Sequence, residues 1–134
     1  MKTVKITSIF LGSMSLSFGA LKFADPFKYW YSVQIESSGL PDLTFSLGII
    51  AELITGIIFL FPFLFSVTDQ KKFLILTNSS LIIVMTAATI VHLIPEVPAS
   101  VLPLKIKSPI IPVMFLTIAV INQMNVTKKA LQFK

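Results

Sequence analysis

Apolar residues gather in four long blocks, at about 6–22, 43–65, 73–93 and 109–124, separated by lysines and by proline-containing connections. None of the blocks alternates polar and apolar positions as a barrel strand does, so each is predicted to be a helix, which satisfies its own backbone in hydrocarbon. The second block is the clearest: Leu43 to Thr68 reads LTFSLGIIAELITGIIFLFPFLFSVT and carries one charged residue, Glu52. About 20 apolar residues rising about 1.5 Å each match the roughly 30 Å hydrocarbon core of a bilayer. The predicted fold is therefore all-α, an integral membrane four-helix bundle with up-down-up-down connectivity, built as one domain over residues 1–134. The short Ser66 to Lys72 connection makes the second and third blocks antiparallel neighbours. The fourth has Pro109 and Pro112 near its start and must reach into Asn122 and Gln123 to cross, so a tilted or half-inserted helix stays open.

The connections add detail. Asp25 and Pro26 offer a helix cap and a first-turn proline, and Phe27, Tyr29, Trp30 and Tyr31 follow at once. This predicts a short interfacial helix after the first span, its aromatic residues forming a belt or stacking on a ligand. Prolines at 95, 98, 103 and 109 favour extended backbone in the last connection, placed to cover the outer mouth of the bundle. Lys2 and Lys5 before an apolar run resemble a secretory signal, yet Phe18 stands third before a cut after Ala20, so the segment reads as a retained span.

Composition narrows the class. With 54% hydrophobic residues, 13% charged residues and a mean hydropathy of +0.88, the 134-residue chain has more apolar surface than a soluble domain of its size buries. All 11 basic residues are lysines, so no forked guanidinium is present to read phosphates or guanine, and the net charge of +5 points to topology rather than to nucleic acid. If the spans alternate, Lys2, Lys5, Lys71, Lys72, Lys128, Lys129 and Lys134 share one side and Lys22, Lys28, Lys105 and Lys107 the other. The richer side is expected to be cytoplasmic, with both termini there, as suits a bacterial inner membrane. Cysteine is absent, which removes disulfide and thiolate chemistry.

Polar residues inside the blocks fall on helical stripes. Ser8, Gly12, Ser15, Gly19 and Lys22 recur at steps of four and three, and Gly48, Glu52 and Gly56 at steps of four, with Thr55 beside them. Small residues allow close helix approach, so the first two spans are expected to meet along these stripes. Lys22 lies roughly 25 Å above Lys5 and Glu52 roughly 20 Å above Phe65 by helical rise, within side-chain reach. Two readings stay open for Glu52, an ion pair with Lys22 or a protonated carboxyl bonded to Thr55 or a carbonyl. His92, on one face with Thr89 and Met85, belongs to the same outer layer. It is read as a packing residue or as a third member of a Lys22, Glu52 and His92 cluster, with Trp30, Tyr31, Thr55 and Thr89 as its border. One histidine excludes a bis-histidine haem within one chain, and Glu52 with His92 is too small a donor set to establish a metal site.

GALKF at 19–23, AELITGIIFLFP at 51–62 and AATIVHL at 87–93 before the proline-rich stretch resemble, in order and spacing, the DoxX-like family of small four-helix membrane proteins. The resemblance covers most of the chain and implies that Lys22, Glu52 and His92 are the family's polar signature. It also implies membership of membrane oxidoreductase assemblies, including thiosulfate to quinone electron transfer and oxidative-stress complexes, and a eukaryotic branch resembles a receptor-assembly chaperone. Three functions are compatible with these residues. The first is an accessory or assembly subunit that holds a membrane or membrane-associated protein partner and requires no cofactor, without a complete catalytic constellation of its own. The second is a quinone- or small-lipid-binding electron-transfer subunit. The third is a proton-coupled carrier, weakened by a single midplane carboxylate and no inverted repeat.

Overall fold

A computed structural model describes residues 2–128, which form five helices and two single 3-10 turns. The helices are α1 (Lys2–Leu21), α2 (Phe27–Ser37), α3 (Leu43–Leu64), α4 (Gln70–Leu93) and α5 (Ile110–Lys128). Four of them, all but α2, are long and apolar enough to cross a membrane. Lys129 and Lys134, counted toward the inner side by the charge balance, lie outside the described residues.

The ends of the helices depart from the sequence expectation for local reasons. Helix α1 begins at Lys2, so Lys2 and Lys5 ride on the helix instead of preceding it. Helix α4 begins at Gln70 because Asp69 caps it, its Oδ1 accepting from the Lys72 backbone N–H at 3.0 Å. That hydrogen bond and the Lys72 ammonium hold the Asp69 carboxyl below its ordinary pKa. Asp25 does not cap α2: Pro26 occupies the cap position and no side chain bonds the first turn. Helix α5 is a continuous 19-residue helix that runs through Asn122 and Gln123 to Lys128. Pro112 sits at its third residue, where a missing N–H breaks no intrahelical bond.

Packing is led by two helix pairs, α1 with α3 and α4 with α5, closed by contacts of α3 with α4 and α1 with α5. Along the first pair, Lys5 lies over the Phe63 ring, Gly12 meets Phe59 and Gly56, and Gly19 meets Leu53. The approach is closest at Gly56, where a Cβ would stand 2.6 Å from Leu16 Cγ and 2.9 Å from the Gly12 carbonyl oxygen. The small-residue stripes thus do what their spacing implies, and Ser8, Gly12, Ser15 and Gly19 are all buried. Val4, Leu11, Phe59, Leu74, Leu81, Met85, Phe115, Ala119 and Val126 form the common core. At one end, Lys71 Nζ donates to the Thr127 carbonyl at 2.8 Å, joining the start of α4 to the end of α5.

The other end is covered by α2 and the proline-rich connection. This connection is not simply extended: it folds into turns at Ala99–Val101 and Pro103–Lys105, with Leu104 and Lys105 at positive φ of 61° and 54°. Its Val97, Val101 and Leu102 are buried against Trp30 and Val33 of α2 and against Val91 and Ile94. Gln34 Nε2 donates to the Val101 carbonyl at 2.5 Å, and the Lys107 ammonium donates to the Ile94 and Val97 carbonyls beyond the end of α4.

Candidate functional site

Glu52 lies on the buried face of α3, turned toward α1 because Gly56 and Gly12 bring the two backbones together one turn away. The Ser15 hydroxyl donates to the Glu52 backbone carbonyl at 2.9 Å, which sets the register of the pair. Lys22, just past the last residue of α1, reaches back so that its Nζ lies 2.7 Å from Glu52 Oε1. The two side chains are 17% and 10% exposed, so the ion pair is largely withdrawn from solvent. Glu52 Oε2 is buried and accepts no hydrogen bond among the described residues.

Helix α2 supplies the third wall. The Lys22 ammonium stands over the Tyr31 ring, 3.9 Å from its centroid, a cation–π contact that strengthens as water is excluded. The Tyr31 ring packs on Phe45 at 5.1 Å between centroids, and its hydroxyl is 3.5 Å from the Thr44 carbonyl. That hydroxyl occupies the space a side chain at Gly48 would fill: a Cβ there would lie 1.8 Å from it. Gly48 therefore serves α2, whereas Gly56, two turns on, serves α1. Burial, and after it the Glu52 charge, pushes the Tyr31 phenol up to about 12, so it remains a proton-bearing donor at neutral pH.

The remaining sequence candidates make no hydrogen bond or ion pair with Lys22 or Glu52 among the described residues. His92 is buried in the last turn of α4, and its Nδ1–H donates to the Ala88 carbonyl at 2.9 Å. Among the described residues no hydrogen bond or ion pair joins it to Lys22 or Glu52. Thr89 returns its hydroxyl to the Met85 carbonyl of its own helix at 2.8 Å, as a helical threonine does when no better acceptor is near. Thr55 is buried on the Glu52 face. Trp30 packs on the proline-rich connection and edge-on to Phe27 at 5.3 Å. Of the seven candidate residues, then, Lys22, Glu52 and Tyr31 form one polar cluster.

A second polar layer was not read from the sequence as a cluster. Asn122 Nδ2 donates to Ser8 Oγ at 3.0 Å and to Asn78 Oδ1 at 3.1 Å, joining α1, α4 and α5. The signal for it was Asn78 in the third block and Asn122 with Gln123 in the fourth, and pairing them requires the packing of α4 on α5. Leu11, Phe59, Leu81, Met85 and Phe115 lie between this layer and Glu52 along their helices and close the space with apolar side chains. Comparison of the chain with protein families, with curated proteins and with solved structures gives no match.

Proposed function

We propose that this chain is an integral membrane protein of the DoxX-like type, an up-down-up-down bundle in a bacterial inner membrane with both termini cytoplasmic. In this reading it serves as a non-catalytic accessory or assembly subunit of a membrane complex, one concerned with redox chemistry. The observation that carries the proposal is the internal use of the buried charges. Lys22 binds Glu52 and stacks on Tyr31, so the pair fastens the interfacial helix to the first two spans and holds one face of the bundle in a fixed shape. A buried ion pair of this kind adds little net stability over apolar packing but defines which surfaces meet. The apolar layer of Leu11, Phe59, Leu81, Met85 and Phe115 argues against a proton-coupled carrier, which needs polar groups or water along its path.

Purification from native membranes in mild detergent, followed by mass spectrometry, tests the proposal. A stoichiometric membrane partner is expected, and its yield should fall in Tyr31→Ala, which frees α2. Repeated preparations without a partner would remove this reading.

One observation favours the second function. Glu52 Oε2 is a buried acceptor with no donor among the described residues, and a quinol hydroxyl is a group that would answer it. Organic extraction of the purified protein should then release quinone, and Glu52→Gln should lower the amount. Equal quinone in both preparations would eliminate the site.

A further inference from the structure

The layer at Ser8, Asn78 and Asn122 holds an unanswered acceptor, and the surrounding bonds determine which atom it is. Asn78 Nδ2 donates to the Leu74 carbonyl at 2.6 Å, so its Oδ1 must face away from that carbonyl and toward α5. Asn78 Oδ1 requires a donor from Asn122, which turns Asn122 Nδ2 toward α4, where it also meets Ser8 Oγ. Reversing either amide would set two oxygens against each other. Asn122 Oδ1 is consequently left buried without a donor among the described residues, in a residue only 1% exposed. Next along α5, Gln123 sets one amide atom against Ser79 Oγ, its Nε2 donating at 3.1 Å, and leaves the other, Oε1, buried and unbonded among the described residues.

An unsatisfied buried carbonyl costs about 1–3 kcal/mol, so a donor is expected at each oxygen. The character of that donor follows from the surroundings. Neither oxygen reaches the surface, which excludes a lipid headgroup or a residue of a partner chain. The polar side chains in these bonds, Ser8, Asn78, Ser79, Asn122 and Gln123, are all neutral, so a bound cation would have no countercharge. The Ser8 hydroxyl proton and the second Asn78 amide proton offer donors to the same ligand. We propose that the seam between α4 and α5 is a binding site for individual water molecules, the first held by Asn122 Oδ1 with Ser8 and Asn78, the second by Gln123 Oε1 with Ser79. These waters complete the contact of α5 with α1 and α4, and they stop at the apolar layer of Leu11, Leu81 and Phe115.

Water-to-protein magnetisation transfer, measured on the isotope-labelled chain in deuterated detergent, tests the site directly. Transfer is expected at the side-chain amide protons of Asn78, Asn122 and Gln123 and not at the backbone of Leu81 or Phe115. Asn122→Leu should abolish transfer at Asn78 while leaving it at Gln123. If that variant does not fold, the wild-type spectrum decides alone: resolved side-chain signals without transfer would overturn the proposal. Addition of sodium or potassium chloride should leave these signals unshifted, and a saturable shift would replace the water site by a cation site.

Discussion

Replacing Lys22 by methionine keeps most of the side-chain volume and removes the cation, leaving the Glu52 carboxylate facing an apolar group. Removing one member of a buried pair costs about 3–5 kcal/mol because the other charge stays behind. Here Lys22 is 17% exposed and Glu52 10%, so residual solvent access places the expected loss at the lower bound, about 3 kcal/mol. Glu52→Gln should cost less, about 1–2 kcal/mol, because the ammonium keeps the Tyr31 ring and an amide oxygen. The double variant Lys22→Met, Glu52→Met replaces both charges by apolar groups and should recover most of the loss. The chain's single tryptophan, Trp30, lies on α2 next to Tyr31, so its fluorescence during unfolding in mixed micelles reports on this corner. Helicity measured by circular dichroism should be lost at higher denaturant than the Trp30 signal in Lys22→Met, since α2 is held by fewer contacts than the four long helices. A double variant as unstable as Lys22→Met, or a coupling below about 0.5 kcal/mol, would show that the pair is solvated and refute the argument.

Other perturbations probe separate contacts. Gly56→Ala places a methyl group against the Leu16 backbone and the Gly12 carbonyl, and should lower stability by about 1–3 kcal/mol in the same micelle assay; an unchanged midpoint would mean that α1 and α3 are not in backbone contact. Gly48→Ala should expel the Tyr31 hydroxyl and expose the α2 to α3 connection to limited proteolysis, and adding Tyr31→Phe should restore part of the protection. Phenolate absorbance should show one tyrosine ionising near pH 12, moved downward in Glu52→Gln; no late step would mean an exposed ring. The same phenol is protonated in both folded and unfolded chains below its ordinary pKa of 10.0, so its contribution to stability is intact there and is lost as pH rises toward about 12.

Several features were legible in the chain because they depend on period or composition. The stripe of Ser8, Gly12, Ser15 and Gly19 predicted the α1 face that is buried, and the stripe of Gly48, Glu52 and Gly56 marked the face of α3 that receives other elements. Helical rise was sufficient to bring Lys22 within reach of Glu52, since the two helices meet along a common small-residue contact. The same reasoning placed His92 in the outer layer by height but carried no information on azimuth. In the structure its ring turns back to Ala88 of its own helix. Tyr31 was legible as one of the aromatic residues of a short helix after the first block, while its insertion at Gly48 depends on how α2 returns across α3.

By itself, the sequence determined the helical class, the number of long apolar helices and the two small-residue faces, because hydrophobic period and side-chain size act along one helix at a time. Tertiary structure alone decided that Tyr31 joins Lys22 and Glu52, that His92 does not, and that Asn78 and Asn122 meet beneath an apolar layer. Those outcomes depend on the rotation of each helix about its axis and on which helices are neighbours. Both are settled by packing across elements distant in sequence, as in the bond from Ser8 to Asn122, and no local pattern encodes them.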